Sequence, residues 1–183
     1  MFLKGLTSVT FRKLTCEEII SIAAENGLDG IEWGGDVHAV PGDLKRAEEI
    51  SRMTREAGLK VFSYGSYFNL AEDAENFKKV CETAAALEAP TIRVWAGNKG
   101  SAETTEDERK SLAENFACVC EIAAQSGIKV STEFHKKTLT DTAETCLQLL
   151  KMTGAENCGT YWQPVRKADE EMENLHLILP YIT

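Results

Sequence analysis

The sequence predicts an α/β protein assembled from repeated strand–helix units, and three observations predict it. A helix-end phrase closing on glycine returns at a spacing near 30 residues. Each return runs directly into a short β-branched strand, and Thr-x-x-Glu helix starts stand upstream of apolar stripes. A period of about 30 residues is one βα unit of a parallel sheet, not a helical repeat array.

The phrase first reads Ala24-Glu25-Asn26-Gly27-Leu28-Asp29-Gly30-Ile31-Glu32. It returns as Arg55-Glu56-Ala57-Gly58-Leu59-Lys60-Val61-Phe62 and as Ala124-Gln125-Ser126-Gly127-Ile128-Lys129-Val130-Ser131. In a variant, Leu87-Glu88-Ala89-Pro90-Thr91-Ile92-Arg93-Val94, Ala-Pro takes the turn. The offsets Gly27 to Gly58, Gly58 to Ala89 and Ala89 to Gly127 are 31, 31 and 38 residues. A glycine there adopts the left-handed stop conformation that ends a helix. Strands are expected at 4–9, 30–33, 60–64, 91–95, 128–133 and 158–162. Helices are expected at 15–26, 43–57, 71–88, 106–126, 140–152 and 168–179. Thr15-x-x-Glu18 and Thr105-x-x-Glu108 have the capping-box form, and Asn69-x-x-Glu72 is a looser version. Leu112, Phe116, Val119 and Ala123 mark one buried helix face; Leu44, Ala47, Ile50, Thr54 and Ala57 mark another.

Such units build either an open doubly wound sheet or a closed barrel. No Gly-rich loop follows the first strand, where Ser8-Val9-Thr10-Phe11-Arg12 stands. Polar and aromatic residues instead mark several strand ends, which a (βα) barrel gathers at one mouth. A barrel is therefore expected over 1–183 as a single domain. Six units account for nearly all of the 183 residues, whereas a closed barrel has eight and typically ~250 residues. The expectation is a barrel without its last two units, C-terminally incomplete or closed by self-association.

Composition narrows the function. The net charge is −9, from 20 Lys+Arg against 29 Asp+Glu, with no basic cluster. That excludes a nucleic-acid or anionic-membrane surface, because phosphate contacts need concentrated positive charge. No apolar run approaches a membrane span and no signal segment opens the chain, so a cytoplasmic protein is expected. Of six cysteines, Cys16, Cys81, Cys118, Cys120 and Cys146 fall in helical patterns as small apolar fillers, and Cys158 precedes a strand. Three histidines are too few for a histidine-rich metal cluster.

Two constellations carry chemistry. Glu133 ends a strand otherwise free of acids and is followed by Phe134-His135. A strand-end carboxylate suits a divalent cation, and His135, two residues on, shares its face and can move a proton near neutral pH. The alternative for Glu133 is a helix cap. In Glu32-Trp33-Gly34-Gly35-Asp36-Val37-His38 the Gly-Gly pair lets the loop bend over the mouth, aiming acid, indole and imidazole at one target. Arg93 and Trp95 share one side of their strand. Arg93 either grips a carboxylate or phosphate or bridges strand-end acids such as Glu32. Tyr161-Trp162-Gln163-Pro164 places a carboxamide at a strand end.

Together, Gly30 to His38, Ile92-Arg93-Val94-Trp95-Ala96-Gly97 and Thr132-Glu133-Phe134-His135 resemble the xylose-isomerase-like TIM-barrel superfamily. The resemblance implies a Glu133 metal ligand ending the fifth strand and a sixth-strand acid where Gln163 stands. It also implies a histidine three residues later, where this chain has Arg166. His38 matches a loop histidine facing the ligand. The implied activity is a sugar or sugar-phosphate isomerase or epimerase. Glu133 and Gln163 would hold a divalent metal (Mn, Mg or Zn), with His135 and Glu32 as base candidates. Trp33, His38, Arg93, Trp95 and Trp162 would bind a small sugar or sugar derivative, and the resemblance also suggests a homo-oligomer. A metal-free sugar-binding or regulatory protein, or an inactive fragment, is the alternative.

Overall fold

In the computed structural model, which describes residues 2–164 and 168–183, each strand is followed by its helix. The order is β1 (Gly5–Thr7), α1 (Cys16–Glu25), β2 (Gly30–Gly34), α2 (Leu44–Glu56), β3 (Lys60–Asn69), α3 (Phe77–Ala86), β4 (Thr91–Trp95), α4 (Glu106–Ala124), β5 (Lys129–Glu133), α5 (Ala143–Thr153), β6 (Cys158–Tyr161) and α6 (Ala168–Ile178). The strands form a six-stranded sheet in chain order. The ladders β1–β2, β2–β3 and β5–β6 are parallel, which crossover helices require. The chain packs as two compact units, Met1–Tyr67 with Lys78–Ile92, and Phe68–Phe77 with Arg93–Thr183.

In the first unit, β1 pairs with β2 from Gly5↔Gly30 to Thr7↔Glu32. The β2–β3 register slips between Ile31 and Glu32, bringing Glu32 opposite Ser63. Gly5 and Gly30 are obligatory because a Cβ on either would meet the Phe62 ring within 2.7 Å. Ile19 and Ala23 of α1, Ala47 and Ile50 of α2, and Ile31 and Trp33 of β2 are fully buried. Alternation sends Ile31 and Trp33 to one side of the strand and Glu32 to the other.

In the second unit, α4 buries Leu112, Phe116, Val119 and Ala123, and α5 buries Cys146, Leu149 and Leu150. The β5–β6 register runs from Val130↔Cys158 to Glu133↔Tyr161, and Ile182 bridges in parallel to Thr160 on β6. Thr160 donates to the Thr132 carbonyl and meets Cys146 Sγ at 3.3 Å, so these residues form the helix-facing layer. Ser131 and Glu133 point to the opposite face.

The local signals held where the partners are close in sequence. Thr15 with Glu18 and Thr105 with Glu108 form complete capping boxes. Gly27, Gly58 and Gly127 end their helices with φ of +63°, +77° and +68°. At the Ala-Pro variant the left-handed residue is Glu88, φ +56°, rather than Ala89. Pro90 drives Ala89 toward extended backbone, so the stop falls one residue earlier. All six cysteines are free; Cys118 is exposed and Cys120 buried, on different sides of α4.

Three elements differ from expectation. β1 stops at Thr7, and Ser8–Phe11 forms a 3-10 turn. β3 continues to Asn69, passing through Tyr67 at φ +58°. No helix starts at Asn69: Glu72 accepts from the Asn69 N–H at 3.0 Å, but α3 begins at Phe77. The Asn69 side chain is instead drawn to the loop after β4, accepting from Gly97 N–H at 3.1 Å and donating to Asn98 Oδ1 at 2.7 Å.

Candidate active site

Among the described residues three donors, two from β4 and one just past β6, converge on the Glu133 carboxylate, all within the second unit. The Arg93 guanidinium forms an ion pair with Oε2. Trp95 Nε1 donates to the same oxygen at 2.7 Å, and Gln163 Nε2 donates to Oε1 at 2.8 Å. Arg93 and Trp95 reach it because they alternate along β4 with Ile92 and Val94, which are fully buried on the other side. The Arg93 and Glu133 side chains are only 6% and 14% exposed. Two charges so shielded depend on each other: removing one strands the other in a medium that solvates it poorly.

His135 stands exposed beyond this cluster. Its ring stacks on Trp95, centroids 5.0 Å apart and planes 14° from parallel. His135 Nδ1 lies 2.7 Å from the Lys136 carbonyl. A carbonyl only accepts, so in the neutral ring Nδ1 carries the hydrogen and Nε2 the lone pair. The loop is braced from below: Thr140 Oγ1 donates to the Glu133 carbonyl at 2.6 Å and Thr138 Oγ1 to the His135 carbonyl at 2.7 Å. Leu139 N–H donates to the Ala96 carbonyl at 2.8 Å, tying it to the loop after β4. These braces escaped sequence reading, since a threonine in a polar loop has no spacing signature.

The other constellation is built differently, within the first unit. Glu32 accepts from Ser63 Oγ at 2.8 Å and from Thr7 Oγ1 at 3.4 Å. Trp33 is fully buried and donates through Nε1 to Thr54 Oγ1 of α2 at 3.2 Å, so its indole anchors a helix instead of facing a ligand. His38 is buried, edge-on to Trp33, with both ring nitrogens engaged. Nε2 lies 3.2 Å from the Leu14 carbonyl, so it donates; Nδ1 then accepts from Ser8 Oγ at 3.0 Å, and Ser8 in turn accepts from Gly34 N–H. Burial holds the His38 imidazole below its ordinary pKa, opposed by the Leu14 hydrogen bond. The structure thus places the imidazole inside the first unit, with both ring nitrogens engaged by the fold. Asp36 pairs with Arg12, which also donates to Tyr67 Oη at 2.9 Å, a link between the loops after β1 and β2 and the strand β3 that the sequence did not disclose.

Trp162 is half-buried at the end of β6, and its Nε1 has no hydrogen-bond partner among the described residues. Arg166 lies outside the described residues. A groove of about 660 Å³ in the second unit, lined by Leu70, Gly97, Lys99, Glu108, Leu112 and Asn115 among others, contains none of the expected site residues.

Among the described residues no three His, Cys, Asp or Glu side chains are grouped to hold a metal ion. Glu133 and Gln163 nevertheless fit two adjacent positions of one. Their closest oxygen and nitrogen are 2.8 Å apart. A half-turn of the carboxamide exchanges its nitrogen for its oxygen without moving the side chain's shape. Two oxygens at that separation match the roughly 2.8–3.0 Å edge of an octahedron with metal–oxygen distances of about 2.0–2.1 Å.

A family model described as xylose isomerase-like TIM barrel matches residues 20–165. The chain belongs to that family. Among its relatives is a 3-dehydroshikimate dehydratase of Bacillus anthracis, 32% identical over 158 residues that make up 80% of this chain. The xylose isomerase-like chain spans 56% of the length of that relative. Its fold matches the crystal structure of the probable 3-DHS dehydratase involved in petrobactin synthesis from Bacillus anthracis. The TM-score is 0.86 at 26% identity, covering 100% of this chain and 71% of the other. It also matches a xylose isomerase-like TIM barrel protein from Mycobacterium smegmatis in complex with magnesium, with a TM-score of 0.74 at 15% identity over 99% and 74% of the two chains. Among the described residues no helix is long and apolar enough to cross a membrane.

Proposed function

We propose that this chain carries the acid–base half of an enzyme that removes a proton from the carbon beside a carbonyl in a small polyhydroxylated compound. The observation that carries this reading is His135: exposed, stacked on Trp95, and with Nδ1 held by a backbone carbonyl so that Nε2 offers its lone pair. Proton removal beside a carbonyl is the opening step of sugar isomerisation and epimerisation through an enediol, and of dehydration of a β-hydroxyketone. The relative named for 3-dehydroshikimate favours dehydration, in which the neighbouring hydroxyl leaves as water after the proton is lost. A sugar or sugar-phosphate isomerase or epimerase uses the same base on an open-chain substrate.

His135 Nε2 takes the proton and, as the imidazolium, returns it to the departing hydroxyl or to the adjacent carbon. Arg93 and Trp95 hold Glu133 in place beside it. A divalent ion (Mn, Mg or Zn), held from this chain by Glu133 and Gln163, would polarise the substrate carbonyl and hydroxyl oxygens. A second reading, a metal-free binding protein, draws on Gln163, which brings no charge to a cation, and on Arg93, which already neutralises Glu133.

Incubation with 3-dehydroshikimate, with magnesium or manganese and with a chelator, tests the choice. Formation of the aromatic dihydroxybenzoate that depends on His135 and on added metal is expected. Ligand binding without any turnover would favour the metal-free reading.

A further inference from the structure

Trp95 is engaged on its edge and on one face at once. Its Nε1–H is fixed on Glu133 Oε2 at 2.7 Å, which sets the plane of the indole. The Glu133 carboxylate is itself immobilised by Arg93 and by Gln163 at 2.8 Å. Over the indole face lies the His135 imidazole, 14° from parallel. His135 belongs to an exposed loop, where a side chain ordinarily keeps its rotamer freedom. Here two contacts in different directions remove that freedom: the stacked ring fixes the imidazole plane, and Nδ1 on the Lys136 carbonyl at 2.7 Å fixes its rotation within the plane. Neither contact uses Nε2.

We infer that Trp95 is the positioning residue of the base: it carries the fixed orientation of the Glu133 carboxylate to His135, and so decides where Nε2 points. The inference rests on the proposed role of His135 in proton removal, and it separates Trp95 from the substrate. A tryptophan whose edge is held by a carboxylate and whose face is covered by imidazole is an internal strut. It is placed on the last residue of β4, where the strand makes it rigid. The strut explains how a loop histidine is held to the tolerance that proton transfer requires, where a misplacement of about 1 Å costs on the order of a hundredfold in rate.

The test uses the full chain labelled with ¹⁵N-histidine and observed at about pH 8, above the ordinary imidazole range. The three histidine signals are told apart by the His135→Asn and His38→Gln variants. In the wild type the His135 ring C–H protons are expected upfield, shifted by the indole ring current, with ring nitrogens in the Nδ1–H form. Trp95→Leu is expected to abolish the upfield shift and mix the two tautomers while leaving the His38 signals of the first unit unmoved, and an unchanged far-UV spectrum with a cooperative thermal melt reports that the second unit is folded. Trp95→Phe keeps an aromatic face without the N–H and is expected to fall between; it serves where Trp95→Leu does not fold. In turnover, Trp95→Leu should lower kcat about a hundredfold with KM changed less than about twofold. Unshifted His135 signals in the wild type, or a rise in KM with kcat and the His135 spectrum intact, would overturn the assignment and make Trp95 a substrate contact. Absence of turnover in the wild type would overturn the proton-removal reading instead, while the spectra still decide the orientation of His135.

Discussion

The two compact units each hold a glutamate, a tryptophan and a histidine clustered near strand ends, and they employ them in opposite ways. In the first unit Glu32, Trp33 and His38 each end on a partner from within the fold: Ser63 and Thr7, Thr54, and Ser8 with Leu14. In the second unit Glu133 and Trp95 are equally engaged, yet their contacts converge on His135, which remains exposed with one nitrogen unengaged by the Lys136 contact. On the proposed reading, the same residue types thus yield a structural cluster and a reactive one. What separates them is whether the histidine is the last member of the chain of contacts or is enclosed by it.

The comparison can be broken most decisively at the two histidines. His135→Asn is expected to lower kcat by 10²- to 10⁴-fold, about 3–5 kcal/mol, the usual worth of a general base, with the melting temperature nearly unchanged. The same kinetics for His38→Gln would erase the distinction. Next in size is Glu133→Ala, which leaves the shielded Arg93 guanidinium without its counter-charge. A loss of about 3 kcal/mol in chemical denaturation is expected, largely relieved in Glu133→Ala with Arg93→Met.

His38→Gln sharpens the comparison through stability. Its hydrogen bond with Ser8 is buried and that with the Leu14 carbonyl part-buried, so about 1–2 kcal/mol is expected to be lost at neutral pH. The pH dependence has a definite sign. The folded-state pKa of His38 is depressed, so the unfolded chain binds the proton first as pH falls. Its contribution is complete above about pH 6.5 and is lost on acidification toward the folded-state value. The wild type should therefore weaken below that point, and His38→Gln should lack this component of the slope. The smallest effect belongs to Glu88→Gly, which relieves a left-handed glutamate just after α3. A gain of about 0.5 kcal/mol is expected, because its ion pair with Arg55 at 3.0 Å is exposed and contributes little.

Much of the fold was legible because its signals are local. A threonine with a glutamate three residues on caps a helix wherever it occurs, and the glycines after α1, α2 and α4 stop their helices by their own φ. The alternation in Ile92-Arg93-Val94-Trp95 likewise disclosed that Arg93 and Trp95 share one side of their strand, although the acid they meet there is Glu133, 40 and 38 residues away, where the sequence suggested Glu32. The fate of a strand-end residue is less legible, because it depends on partners far along the chain. His38 is enclosed by Ser8 and Leu14, 30 and 24 residues away, and Trp33 by Thr54, 21 residues away. Asn69 read as a helix cap because its glutamate partner is three residues on. The loop after β4, about 28 residues away, claimed its carboxamide.

Deuterium exchange into the substrate in D₂O tests most directly whether the second unit holds a base and the first a scaffold. With 3-dehydroshikimate, or a ketose if that is the compound turned over, the wild type and His38→Gln should wash solvent deuterium into the carbon beside the carbonyl. His135→Asn should do so at least about a hundredfold more slowly. Equal exchange in folded His135→Asn, or its loss in folded His38→Gln, would contradict the account.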